Sequence, residues 1–244
     1  MSLYDSILFD FDGVLADTEP VHCACWAEVL APQGITLEWA AYRERFMGID
    51  DREMLRILAA EATPQLAWED LWTLYPAKKD RFRERVCAAP PFDPSLREFL
   101  NDLDGRYTMA VVSSSSCSEI EPMLEAGGLR QFFRTVVGGE NVKRHKPAPD
   151  PYLLAAERLG LRSPLVVEDS EAGLAAGRAA GFEVLAVKHP AEVPFLVGQR
   201  LGFLSGPLPH GRGSETQGSD TEPRPSGSGP DAKWVRPSPS RKAS

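Results

Sequence analysis

Residues 6–17 read SILFDFDGVLAD, a short apolar run that leads into two aspartates, Asp10 and Asp12, separated by one residue. The run over residues 6–10 predicts a strand, and Gly13 suits a sharp turn out of it. In open parallel sheets, ligands bind outside the carboxyl ends of the strands. This stretch therefore predicts a functional site that begins directly after the first strand.

Short β-rich runs alternate with helical patterns over residues 1–204, which is the pattern of a parallel sheet covered by helices. The other strands are predicted at residues 107–112, 135–137, 165–168 and 184–187. Helices are predicted at residues 95–104, 119–126, 150–159 and 171–180. We therefore predict an α/β fold with a Rossmann-like, doubly wound parallel sheet.

Residues 20–88 have a different pattern, because they are mostly helical, contain no convincing strand and hold four of the five tryptophans. We expect these side chains to form an apolar core rather than platforms for a sugar ring. They are Trp26, Trp39, Trp68 and Trp72. The pattern predicts an all-α domain, residues 20–88, inserted into a core domain made of residues 1–19 and 89–204. Residues 205–244 are rich in Ser, Pro and Gly, which predicts a disordered tail.

The composition is that of a globular protein, with 244 residues of which 43% are hydrophobic and 25% charged, and a formal net charge of −8. No apolar stretch approaches the ~20 residues that a membrane helix needs, and the start does not resemble a secretory signal. Nucleic-acid binding requires clustered Lys and Arg, which an acidic chain disfavours. We therefore predict a cytoplasmic monomer that binds neither membranes nor nucleic acid.

Two further predicted strands also end in groups that phosphate chemistry uses. Residues 111–116 read VVSSSS, and residues 166–170 read VVEDS. Lys146, just before a predicted helix, adds a cation. Carboxylates crowded at one sheet edge repel one another, and Mg²⁺ would relieve that repulsion because it prefers hard oxygen ligands such as Asp10 and Asp169.

Along the chain the order of the four motifs is the Asp10–Asp12 pair, the serine run at residues 113–116, Lys146, and the carboxylates at residues 168–169. This ordered set resembles the motifs of the haloacid dehalogenase superfamily. Among its members, the chain is most similar to the β-phosphoglucomutase-like and phosphoglycolate phosphatase-like enzymes with a helical cap. The resemblance covers about residues 5–188. It implies a Mg²⁺-dependent phosphatase that hydrolyses a small phosphorylated metabolite through an aspartyl-phosphate intermediate.

The resemblance also implies roles for the motif residues. Asp10 is the nucleophile and Asp12 is the general acid and base, while Ser113 and Lys146 hold the phosphoryl oxygens. The implied Mg²⁺ ligands are the side chain of Asp10, the backbone carbonyl of Asp12, and Asp169, with Glu168 supporting the metal or its water.

Asp12 narrows the choice within the superfamily. The haloacid dehalogenases proper, the P-type ATPases and the phosphonate-cleaving members resemble one another but lack an acid at that position. A receiver domain carries its phosphorylated aspartate after a middle strand of a shorter chain, which does not match Asp10. Two alternatives stay open, a β-phosphoglucomutase and a non-catalytic protein that binds a phosphorylated metabolite.

The candidate substrate-binding residues come from the predicted cap and the serine motif: Thr18, His22, Arg52, Lys78, Ser114 and Ser115. His22 is interpreted either as a residue that couples cap closure to Asp12 or as one packed at the start of a helix. Lys78 begins a charge run that is typical of a solvated helix face. Mutases are expected to have Gly-x-x-Arg in the cap loop, whereas residues 48–51 read GIDD, which favours the phosphatase.

Overall fold

The computed structural model of the protein describes residues 3–204, so the predicted tail lies outside the described residues. Its centre is a parallel sheet of five strands. The strands are β1 (Ser6–Phe9), β2 (Thr108–Val112), β3 (Thr135–Val137), β4 (Pro164–Glu168) and β5 (Glu183–Ala186). Each boundary lies within one residue of the predicted one, and the predicted α/β fold is confirmed.

The strand order, β3-β2-β1-β4-β5, puts β1 at the centre of the sheet. β1 pairs with β2 on one side and with β4 on the other, so Phe9 lies level with Val111 and Val167. The order reverses at β1, and open α/β sheets bind ligands at such a reversal. The residues that follow these three strands therefore leave the sheet at one shared edge.

Between β1 and β2 the chain forms an insert of five helices. They are α1 (Glu19–Leu30), α2 (Trp39–Arg45), α3 (Asp51–Glu61), α4 (Trp68–Trp72) and α5 (Tyr75–Ala88). Their apolar side chains form a cluster of their own around Trp26, Phe46 and Leu55. The division into a core domain and a helical cap domain stays a prediction, which this separate cluster supports.

The tryptophans of the insert differ in burial. Trp26 is fully buried, and Trp68 and Trp72 pack against the same cluster while partly buried. Trp39 is an exception to the expected core role, because it is 39% exposed and stacks on Tyr42 from outside the cluster.

Five more helices pack against the sheet. They are α6 (Leu96–Leu103), α7 (Cys117–Ala126), α8 (Asp150–Leu159), α9 (Glu171–Ala179) and α10 (Val193–Arg200). The sequence patterns missed α10, which is only eight residues long and contains a proline in its first turn. In the part of the chain that the structure describes, no helix has the length and apolar character needed to cross a membrane.

Successive strand residues point to opposite faces of the sheet, and the core divides accordingly. Ile7 and Phe9 belong to the cluster that α6, α7 and α10 cover, whereas Leu8 belongs to the cluster under α8 and α9. Burial on both faces explains why β1 is apolar over residues 7–9, directly before Asp10.

Candidate active site

A cavity of about 410 Å³ opens where β1, β2 and β4 end. Six of the predicted site residues line it: Asp10, Asp12, Ser113, Ser114, Lys146 and Asp169. Its volume lies in the lower part of the range for small-molecule pockets, about 300–1,000 Å³. The shared strand edge thus brings four separate sequence motifs onto one cavity.

Lys146 connects two of the acidic groups at the base of this cavity. Its Nζ donates hydrogen bonds to Asp10 Oδ1 at 2.6 Å, to Glu168 Oε1 at 2.5 Å and to the Val112 carbonyl oxygen at 2.9 Å. Burial alone would lower the pKa of Lys146, but the two carboxylates outweigh it and hold that pKa above its ordinary value. Lys146 is therefore a permanent cation at neutral pH.

Glu168 is fully buried and fixed by hydrogen bonds to both of its oxygens. Oε1 accepts from the Tyr152 hydroxyl at 2.7 Å, and Oε2 accepts from the backbone N–H groups of Asp169 and Ser170 at 3.1 and 3.2 Å. A Cβ atom at Gly173, in the first turn of α9, would collide with this carboxylate. Glu168 is thus placed to orient Lys146.

Three carboxylates at the edge could share a cation, because oxygens of Asp10, Glu168 and Asp169 lie within 4.8 Å of one another. Burial, and then the charge of Glu168, raise the pKa of Asp169 to about 6. Burial also raises the pKa of Asp10 well above its ordinary range, although Lys146 opposes the shift. An all-oxygen donor set with this excess of negative charge fits Mg²⁺.

The Asp12 carboxylate is held by two hydroxyl groups. Oδ1 accepts from Thr18 Oγ1 at 2.8 Å, and Oδ2 accepts from Ser115 Oγ at 2.7 Å. Thr18 and Ser115 were candidates for substrate binding, but the structure places them on Asp12 and neither lines the cavity. Asp12 itself is outside the group of three carboxylates that could hold a metal, so its side chain is available for proton transfer.

His22 and Lys78 meet inside the insert and do not line the cavity. Lys78 Nζ lies 2.7 Å from His22 Nδ1 and 3.2 Å from Asp51 Oδ2, and the His22 ring stacks on Phe82. Burial, and then the charge of Lys78, lower the pKa of His22 to about 3, so its neutral ring accepts this hydrogen bond. Lys78 is 3% exposed, so the expected solvated helix face is wrong at this residue, because the lysine turns inward to His22 and Asp51.

Arg52 also lies away from the cavity lining. Its guanidinium group sits over the Trp72 ring, 4.5 Å from the ring centroid. The ring face attracts the cation, so Arg52 is engaged within the insert.

The sequence model of the haloacid dehalogenase-like hydrolases matches residues 7–187, a range that includes every motif described above. The chain belongs to this family. Fructose-1-phosphate phosphatase YqaB of Escherichia coli is 34% identical over 188 residues, which cover 76% of this chain and 97% of that enzyme. The phosphorylated carbohydrates phosphatase of Thermotoga maritima is 31% identical over 182 residues, which cover 73% and 82%. The crystal structure of CbbY from Rhodobacter sphaeroides in complex with phosphate is similar with a TM-score of 0.58 and 26% identity, covering 75% and 85%.

These relatives confirm the family resemblance inferred from the motifs. This haloacid dehalogenase-like hydrolase is a phosphomonoester hydrolase, since phosphatases of the family match most of its described length.

The hydrolase places further residues on the cavity that the sequence analysis did not single out: Asp17, Glu19, Met47, Lys188 and His189. Lys188 and His189 come soon after the end of β5, so they could have been predicted as residues at the ligand-binding edge of the sheet. Glu19 and Met47 belong to the insert, where no sheet register predicts which side chains reach the cavity.

If Asp169 holds Mg²⁺, replacing Gly13 with alanine should weaken the binding of that ion. Gly13 has a φ of +77°, and a Cβ there would collide with the Asp169 carboxylate, one of the candidate metal ligands. The half-saturating Mg²⁺ concentration for phosphatase activity should rise about tenfold or more, as it does when the surroundings of a ligand are disturbed.

Gly34→Ala is the matched control, because Gly34 has a φ of +76° and no atom lies within 4 Å of its Cβ position. It carries the same backbone strain, about 1 kcal/mol, without the collision. Equal Mg²⁺ requirements in the two variants would contradict the role given to Asp169.

Proposed function

We propose that this chain is a Mg²⁺-dependent phosphatase that hydrolyses a small phosphorylated sugar or similar phosphomonoester through an aspartyl-phosphate on Asp10. The proposal rests mainly on two carboxylates that line the same cavity. Asp10 accepts a hydrogen bond from Lys146, whereas Asp12 accepts hydrogen bonds from two hydroxyl groups. The two aspartates are two residues apart yet have different partners. Different surroundings support different roles, a nucleophile and an acid.

The reaction follows from these roles. A carboxylate oxygen of Asp10 attacks phosphorus, the phosphorus–oxygen bond of the ester breaks, and the leaving oxygen takes a proton from Asp12. Asp12 then removes a proton from water, whose oxygen attacks the aspartyl-phosphate and releases inorganic phosphate and the Asp10 carboxylate. Lys146 and the Ser113 hydroxyl stabilise the charge on the phosphoryl oxygens.

Asp10, Asp169 and the backbone carbonyl of Asp12 would hold Mg²⁺, with Glu168 beside it. When bound, the ion supplies positive charge that offsets the developing charge on the phosphoryl group. The phosphatases named above support a sugar phosphate as substrate, and the cavity volume supports a small one. The monomeric state and the cytoplasmic location stay predictions.

The test is phosphate release by the purified protein from a panel of phosphomonoesters with Mg²⁺ and with EDTA. The panel includes fructose 1-phosphate, fructose 1,6-bisphosphate, phosphoglycolate and p-nitrophenyl phosphate. We expect Mg²⁺-dependent release from at least one sugar monophosphate. Undiminished release in EDTA would contradict the metal requirement, and no release from any ester would contradict the phosphatase.

The mutase alternative is disfavoured by the partners of Asp51, which stands where mutases are expected to carry arginine. Asp51 accepts from Trp26 Nε1 at 2.8 Å and pairs with Lys78, while Arg52 lies on Trp72. The insert therefore presents no cation among the described residues that line the cavity. β-Glucose 1-phosphate with a trace of its bisphosphate should yield little glucose 6-phosphate, and rapid formation of that product would favour the mutase.

Asp12→Asn should slow hydrolysis of a sugar phosphate about a hundredfold or more, because an amide cannot protonate a leaving group of high pKa. p-Nitrophenyl phosphate, whose leaving group needs no proton, should lose much less activity. Ser115→Ala removes only one hydrogen bond to Asp12 and serves as a milder control. Equal losses of kcat on both esters in Asp12→Asn would show that Asp12 is not the acid.

A further inference from the structure

Glu19 is the charged side chain that the insert contributes to the lining of the cavity, within the part of the chain that the structure describes. It is the first residue of α1, and its Oε2 accepts a hydrogen bond from the Tyr42 hydroxyl at 2.8 Å. Tyr42 is 5% exposed and belongs to the apolar cluster of the insert. One carboxylate oxygen is thus fixed to the insert core, while the other has no protein donor among the described residues.

The other residues of the insert that line the cavity are uncharged. Met47 and Gly48 line the cavity beside Glu19, whereas Lys78 is paired with Asp51 and Arg52 is stacked on Trp72. Burial raises the pKa of Glu19, and the hydrogen bond from Tyr42 opposes that shift. The insert residues on the cavity therefore offer a hydrogen-bond acceptor and an apolar thioether but no cation, whereas Lys188 and His189 line the cavity from the core side, after β5.

We propose that Glu19 binds a hydroxyl group of the substrate's carbon chain and so selects neutral sugar or polyol monophosphates over esters with a second phosphate or carboxylate. The inference rests on the proposed phosphatase function and names the chemical class of its substrate. A carboxylate accepts strong hydrogen bonds from hydroxyl groups and repels anions.

The experiment compares kcat/KM for fructose 1-phosphate, which has hydroxyl groups, with that for p-nitrophenyl phosphate, which has none. In Glu19→Ala the ratio of the two values should fall about tenfold or more, the usual effect of losing a hydrogen bond to a charged group. The fall should arise from a higher KM for fructose 1-phosphate. Glu28→Ala is the matched control, because Glu28 lies in the same helix and pairs with Arg85 away from the cavity.

Glu19→Gln provides a second test that keeps the size of the side chain and one acceptor oxygen. Glu19→Gln should recover part of the preference for fructose 1-phosphate over p-nitrophenyl phosphate that Glu19→Ala loses. It should also raise kcat/KM for fructose 1,6-bisphosphate relative to the monophosphate about threefold or more, because the repelling charge is gone.

Several results would overturn the inference while the phosphatase stands. One is a ratio of the two kcat/KM values in Glu19→Ala that stays within about twofold of wild type. Another is an equal loss of kcat on both esters in that variant. A third is a wild-type protein that hydrolyses p-nitrophenyl phosphate but not fructose 1-phosphate. An equal loss of kcat would mean that Glu19 only shapes the start of α1, where Thr18 binds Asp12. No Mg²⁺-dependent release from either ester by the wild type overturns the proposed function and this inference together.

Discussion

Asp10→Asn is expected to lower kcat by about a thousandfold or more, the scale seen when an enzyme loses its nucleophile. The amide keeps the shape of the side chain but cannot form an aspartyl-phosphate. Phosphate release under saturating Mg²⁺ measures the loss, and acid-quenched incorporation of labelled phosphate into the protein should disappear with it.

The control for Asp10→Asn is Asp104→Asn, which changes an exposed aspartate that follows α6. It should leave kcat within about twofold of wild type, as surface changes do. Substantial turnover by Asp10→Asn, with labelled protein still formed, would remove Asp10 as the nucleophile.

Lys146→Met should impair both catalysis and stability. The substitution leaves Asp10 and Glu168 buried without the cation that bridges them at 2.6 and 2.5 Å. Breaking a buried ion pair from one side costs about 3–5 kcal/mol of unfolding free energy, and kcat should fall about a thousandfold because the phosphoryl oxygens lose their cation. Denaturant unfolding at pH 7 and phosphate release measure the two losses.

Mg²⁺ should reduce the stability loss of Lys146→Met, because a bound divalent ion would neutralise the same carboxylates. Lys143→Met changes an exposed lysine in the same loop and should alter the unfolding free energy by less than about 0.5 kcal/mol. If Lys146→Met were as stable as this control without Mg²⁺, the bridging role of Lys146 would be wrong.

The sheet and its edge were predictable from the sequence for a physical reason. A strand buried on both faces is mostly apolar, so the polar residues at its carboxyl end mark the edge of the sheet where ligands bind. This pattern predicts Asp10 after β1, Ser113 after β2, and Glu168 with Asp169 at the end of β4; the strand register brings Asp10, Ser113 and Asp169 onto one cavity.

The insert was less predictable, because helix packing decides which of its side chains are buried. The charge run at residues 78–81 is typical of a solvated face, yet Lys78 is buried against His22 and Asp51. Nothing in the local pattern signals these partners, since Asp51 lies in another helix. The position of Glu19 on the cavity depends on the same packing.

The central place of β1 has a consequence for how the chain is made. Ser6 pairs with Thr108 and with Pro164, so both neighbours of β1 are synthesised much later than β1 itself. The helical insert, with its own apolar cluster, can fold during that interval. Parallel pairing over such separations is slow, so both edges of β1 keep unpaired backbone groups until β2 and β4 have been synthesised.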